Sequence, residues 1–205
     1  MQILVLGIGN LLWADEGFGV RCVEALAERY VLPPQVNVTD GGTQGLYLLP
    51  YLQEAERMIV FDAVDYGLEP GSLRLVENDQ VPRFMGAKKM SLHQTGFQDV
   101  IAAAMLTGRC PREMLLIGVQ PVELDDYGGS LRPIVKARID DALRIAVERL
   151  AEWGCEVHLR AASAGMESPH AAAVNINSHA LALDAYESGR PSAEAACRIG
   201  DARYL

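Results

Sequence analysis

Short runs of buried-type residues, each broken off at a glycine or an acid, limit this chain more than any other feature. Residues 3–6, 58–61 and 114–119 are almost wholly aliphatic, and residues 36–39 alternate valine with polar residues. Each run is too short for a stable helix and reads as a strand; the continuous ones read as strands covered on both faces. Between them lie stretches with helical period. Residues 16–30 place Val20, Val23, Leu26, Ala27 and Tyr30 at spacings of three and four. Residues 46–56 form a weaker helix, interrupted by Pro50. Thr95 and Gln98 match a capping box, followed by a face of Phe97, Val100, Ile101, Ala104 and Met105. Residues 134–150 carry the clearest stripe, Val135, Ile139, Ala142, Leu143, Ala146, Val147 and Leu150. Residues 72–76 read as an edge strand. Strands alternating with helices imply βαβ units, and so a doubly wound, three-layer α/β sandwich with a mostly parallel sheet. The pattern defines one domain over residues 1–160. Residues 161–205, rich in Ala, Ser and Gly, read as a weakly patterned tail with a short helix within 178–188.

Charge and composition exclude several functions. A net charge of −9 over 205 residues opposes binding to a phosphate backbone. No apolar run reaches the roughly 20 residues of a membrane span. Met1 leads straight into a strand without a basic segment, so no signal peptide is expected and the cytoplasm is the expected compartment. Cys22, Cys110, Cys155 and Cys197 form no C-x-x-C pair and read as reduced thiols.

Ligands of open α/β sheets bind beyond the carboxyl ends of the strands. There the sequence supplies Asn10, Asp15 and Glu16 after the first strand, and Asp40 and Thr43 after the second. Asp62 and Asp65 follow the third, and His93 lies on the loop entering the capping-box helix. Two carboxylates and an imidazole suit a divalent transition metal, which could polarise a peptide carbonyl or activate water. Plainer roles stay open on the residues alone. Glu16 could favour a helix dipole, Asp15 could cap a helix and Asp40 could form a turn. Asp62 could be a strand-end carboxylate and His93 an ordinary loop residue. His158, His170 and His179 lie in or near the tail. The turn Gly7-Ile8-Gly9-Asn10-Leu11-Leu12 lacks the third glycine of a dinucleotide fingerprint. No phosphate loop, H-E-x-x-H helix or G-x-S-x-G elbow is present.

Five segments in order carry a resemblance. They are Leu6-Gly7-Ile8-Gly9-Asn10-Leu11-Leu12 with Asp15-Glu16-Gly17-Phe18-Gly19-Val20; Asp40-Gly41-Gly42-Thr43 with Gly45; and Phe61-Asp62-Ala63-Val64-Asp65-Tyr66-Gly67. Ser91-Leu92-His93-Gln94-Thr95 follows, and then Gly118-Val119-Gln120-Pro121 with Tyr127-Gly128-Gly129-Ser130-Leu131. Together they closely resemble the nickel–iron hydrogenase maturation proteases, most of all the subgroup serving uptake hydrogenases. The resemblance implies a metal-responsive, aspartic-type endopeptidase. Its substrate would be the nickel-loaded large-subunit precursor, from which it removes the C-terminal extension. It also implies a triad of Glu16, Asp62 and His93, serving as catalytic residues and metal ligands. Nickel would be supplied by the substrate, or another divalent metal would occupy the triad. The implied substrate-recognition loop is Asp40, Gly41, Gly42 and Thr43. Hydrolysis could be metal-assisted or use a carboxylate as general base; the sequence leaves both open. Peptidyl-tRNA hydrolases share the G-x-G-N turn but continue Asn-Pro-Gly, where this chain has Leu11-Leu12. A nickel-sensing chaperone that binds the precursor without cutting it is the non-enzymatic alternative.

Overall fold

The computed structural model describes the backbone of residues 1–85, 92–160 and 183–189, with side chains in those ranges outside 83–95. Its centre is a five-stranded sheet in the order β3-β1-β4-β6-β5. These strands are β1 (Ile3–Ile8), β3 (Val36–Gly42), β4 (Arg57–Ala63), β5 (Leu73–Glu77) and β6 (Glu113–Val119). All neighbours run parallel except β5, which pairs antiparallel with β6 at the edge. Helix α1 (Phe18–Arg29) links β1 to β3, and α2 (Leu49–Glu54) lies on the path from β3 to β4. Helices α3 (Gln80–Met85) and α4 (Leu92–Leu106) lie between β5 and β6; α5 (Pro133–Lys136) and α6 (Ile139–Glu152) follow β6.

Alternation along the strands sorts the core into two layers. Ile3, Val5, Ile59, Phe61, Leu115 and Ile117 pack with residues of α1 and α6. Leu4, Leu6, Ile8, Met58, Val60 and Leu116 pack with Leu52 of α2 and Phe97, Val100 and Ile101 of α4. The central strands are buried at nearly every position, so the sequence shows them as apolar runs rather than as alternation. The chain leaves β1 toward β3 on one face and returns from β3 to β4 on the other. The winding therefore reverses between β1 and β4, and a crevice opens there at the carboxyl ends.

Several elements differ from the sequence expectation. Helix α4 begins at Leu92, so Thr95 lies inside it rather than at its N-cap, and His93 lies in its first turn instead of on a loop. Leu92, His93 and Gln94 carry no breaker, and the helix extends back through them. Met105 is 55% exposed and does not join the core face. The segment from 16 to 30 starts with a 3-10 turn, Ala14–Gly17, before α1; 45–48 likewise forms a 3-10 turn before α2. The long stripe from 134 breaks into α5 and α6 at Ala137-Arg138, where the Arg138 N–H bonds to the Val135 carbonyl, one residue closer than in an α-helix. A tertiary contact accompanies the break: Ile134 lies so close to Gly71 that a Cβ there would sit 2.8 Å from Ile134 Cγ1.

Tyr30–Val31 (β2) and His158–Leu159 (β7) form a two-residue antiparallel pair that is too short to leave a sequence pattern. Within the expected tail, α7 (Leu183–Gly189) lies against the body: Glu187 accepts from Ser130 Oγ at 2.8 Å and from Lys136 Nζ at 2.7 Å. The remaining residues of 161–205, His170 and His179 among them, lie outside the described residues, while His158 is exposed in β7. No helix among the described residues is long and apolar enough to cross a membrane.

Candidate active site

Asp62 is the next-to-last residue of β4 and is 2% exposed. Alternation places it on the face shared by Met58 and Val60, the face covered by α4. That helix starts one residue before His93. Its Gly96 passes close to Gly45 after β3, where a Cβ on Gly96 would lie 3.5 Å from Gly45 Cα. The first turn of α4 thus stands over the carboxyl edge of the sheet. The side chain of His93 lies outside the described residues.

Glu16 reaches the same edge by another route. It belongs to the 3-10 turn Ala14–Gly17, which folds back over the end of β1. A Cβ on Gly9 would lie 1.8 Å from the Glu16 carbonyl oxygen, so only glycine allows this approach. Gly19, in the first turn of α1, is pressed as closely onto the sheet: its Cβ would lie 2.2 Å from the Phe61 oxygen and 2.3 Å from the Ile8 oxygen. The backbone carrying Glu16 is therefore packed onto both β1 and β4, one residue from Asp62. Glu16 is half-buried and its Oε2 is enclosed. Ala14, two residues earlier, holds φ +34°, a left-handed conformation strained for any residue with a Cβ.

Asp15 is neither a cap nor a site group. It is fully buried, and its carboxylate accepts three backbone N–H bonds: Val122 at 2.8 Å and Glu123 at 3.0 Å on Oδ2, and Arg132 at 2.7 Å on Oδ1. The Asp15 N–H donates to the Glu123 carbonyl, and Gly128 N–H donates to the Leu12 carbonyl. The rings of Trp13 and Tyr127 meet edge to face, with centroids 5.3 Å apart. These contacts fasten the turn carrying Glu16 to the loop after β6. Gln120 does the same for the loop after β4. Its Oε1 accepts from the N–H groups of Tyr66 and Leu68 at 2.7 and 3.1 Å, and its Nε2 donates to Asp65 Oδ1 at 3.0 Å. Asn10 accepts the Leu12 N–H, which leaves it a turn residue.

The segment from Asp40 to Thr43 divides its roles. Asp40 is 5% exposed and lies on the α1 face, in register with Gly7 and opposite to the face of Asp62. Burial and the negative charge of Glu24 push its pKa up to about 6, against the Gly42 N–H bond and the charge of Arg21, which pull it down. Gly41 has no room for a Cβ beside Leu6 and Ile8. Gly42 takes φ +42° and accepts the Gly9 N–H through its carbonyl, joining the ends of β1 and β3. Thr43 and Gln44 are the exposed members of this loop.

Asp15, Gln120 and Tyr66 escape a reading of local sequence as site-building residues, since their partners lie far along the chain. The Gly118-Val119-Gln120-Pro121 segment was visible as a motif, but not the bonds that Gln120 makes. Among the described residues no three His, Cys, Asp or Glu side chains converge as a metal site. Asp62 at the end of β4 and Glu16 on the turn over the end of β1 are the carboxylates nearest this edge; two carboxylates and an imidazole are, as a set of residue types, donors that suit a divalent transition metal.

Fold and crevice together define the class: a doubly wound α/β sandwich with Asp62 at the end of β4, and the turn that carries Glu16, beside the point where the winding reverses. The comparisons supply the family. Residues 20–149 match the hydrogenase maturation protease family model. A hydrogenase expression/formation protein, HupD, of Rhodobacter capsulatus is 61% identical over all of this chain and 93% of its own length. The hydrogenase 2 maturation protease of Escherichia coli K12 is 42% identical over 76% of this chain and 94% of its own. A solved structure of the hydrogenase maturating endopeptidase HybD from E. coli superposes with a TM-score of 0.75 and 40% identity, over 80% of this chain and all of that one. The chain belongs to the hydrogenase maturation protease family and is a hydrolase of peptide bonds.

Proposed function

We propose that this protein is a metal-responsive endopeptidase that removes the C-terminal extension from the large-subunit precursor of a nickel–iron hydrogenase once nickel has been inserted. The observation that carries the reading is the placement of Glu16 and Asp62. Both stand at the carboxyl ends of β1 and β4, where the winding reverses, beneath the helix that carries His93 in its first turn. Family membership fixes peptide-bond hydrolysis as the chemistry, and no nucleophile motif in the sequence supplies an alternative to water.

In this reading Asp62 or Glu16 takes a proton from the attacking water. The water oxygen bonds to the scissile carbonyl carbon, and the proton passes to the departing amine as the C–N bond breaks. His93 completes the site. The loop of Asp40, Gly41, Gly42 and Thr43 meets the precursor through its exposed end, with the buried Asp40 holding the loop in shape. Nickel belongs to the substrate. Glu16, Asp62 and His93 would engage it in the loaded precursor, and a precursor without it would lack that binding energy and be left uncut.

The test is the intact mass of nickel-loaded and nickel-free precursor after incubation with the protein. Loss of a C-terminal peptide from loaded precursor alone supports the reading. Equal cutting of both removes the nickel requirement. A stable complex without mass loss would establish the chaperone alternative instead.

A further inference from the structure

The ring of Tyr66 lies on the sheet next to Asp62, and the sequence around it is built to let it do so. Tyr66 is buried at 8% exposure. Its backbone N–H is held by Gln120 Oε1 at 2.7 Å, which fixes the residue three places beyond the end of β4. The ring then turns back over β6. A Cβ placed on Gly118 would lie 2.1 Å from the phenol oxygen and 2.9 Å from the ring carbons Cε2 and Cζ. Gly118 is the register partner of Asp62 across the β4–β6 pair. Partners in a parallel ladder point their side chains to the same face, and adjacent strands lie about 4.8 Å apart. The phenol oxygen therefore occupies the place where a side chain neighbouring Asp62 would stand.

We propose that Tyr66 is a positioning residue for peptide hydrolysis: its phenol, seated on Gly118, closes the β6 side of the Asp62 carboxylate and donates a hydrogen bond to it in the precursor-bound state. Catalytic hydrogen bonds commonly tighten only when substrate is in place. The effect is to turn the carboxylate toward β1 and Glu16, where the peptide must lie. The inference rests on the peptidase reading with Asp62 in the site.

Tyr66→Phe keeps the ring in its seat and deletes only the O–H. A hydrogen bond to a charged group contributes enough that its loss corresponds to a fall of about 10- to 100-fold in kcat. The expected result with loaded precursor is that fall, with KM within about twofold and the melting temperature unchanged. Gly118→Ala keeps the phenol but displaces it, so it lowers kcat as well. The double variant falls less than the product of the two, because the Cβ then no longer strikes an oxygen. Full kcat in Tyr66→Phe, or a change in KM alone, overturns the proposal while leaving the peptidase reading intact. A wild-type protein that releases no peptide overturns that reading and this proposal with it.

Discussion

Replacing Asp15 by Asn tests how the proposed catalytic edge is held together. The carboxylate is fully buried and accepts three backbone N–H groups, at 2.7, 2.8 and 3.0 Å. A carboxylate has two accepting oxygens, and both are used. Asparagine keeps the shape but has one. If its carbonyl serves Val122 and Glu123, its NH2 group is turned against the Arg132 N–H, donor to donor. The loss is one hydrogen bond to a charged group, about 1.5–3 kcal/mol, plus the cost of an unsatisfied buried N–H, about 1–3 kcal/mol. Removing a buried charge returns part of its desolvation cost. The expected net destabilisation is about 3 kcal/mol, or roughly 6–12 °C in melting temperature for a domain of this size. Thermal melting and urea titration of the two proteins read it directly. Peptide release should fall as well in the variant, below its melting temperature, since Glu16 stands on the same turn. A variant melting within about 2 °C of wild type would refute the reasoning, for it would mean that the three bonds are not what fixes the turn.

Other outcomes follow from the same geometry. Gly19→Ala places a Cβ 2.2 Å from the Phe61 carbonyl oxygen, a backbone atom that cannot yield, and should cost more than about 3 kcal/mol in urea titration. Gly128→Ala, at φ +70° with nothing within 4 Å of the new Cβ, should cost only about 1–2 kcal/mol, and equal losses at the two positions would contradict the account. Asp40 has a pKa raised in the folded state, from 3.8 to about 6, so the folded protein binds the extra proton between those values. Its contribution to stability is present at low pH and is lost as pH rises through about 6. Asp40→Asn should therefore raise stability at pH 7–8, by roughly 1–2 kcal/mol after allowance for screening, and leave it unchanged near pH 4. A gain that is the same at both pH values would count against the burial of an ionised Asp40.

Much of the architecture was legible because β1, β4 and β6 are buried on both faces and leave unbroken apolar runs. Asp62 was legible for the same reason: an acid that stops such a run lies at a strand end, where α/β sheets bind ligands. The face it occupies was not. Asp40 and Asp62 look alike in sequence, each ending a strand, yet alternation puts Asp40 against α1 and Asp62 under α4. Nor was the role of Asp15, whose three partners lie 107 to 117 residues further on. Local spacing carries no record of such a contact. The start of α4 was misplaced by reading Thr95 as a cap, a local signal that the helix overrides by continuing back to Leu92. The break at Ala137 was hidden because Val135 and Ile139 keep helical spacing across it.

The most direct test of the proposed site is the rate of C-terminal peptide release from loaded precursor by wild type, Glu16→Gln, Asp62→Asn and His93→Gln, each matched for melting temperature. The account predicts that all three variants lose at least about 100-fold, the scale of a lost acid–base group or metal ligand. A folded variant that cleaves at the wild-type rate would remove that residue from the chemistry, and retention by both carboxylate variants would contradict the account as a whole.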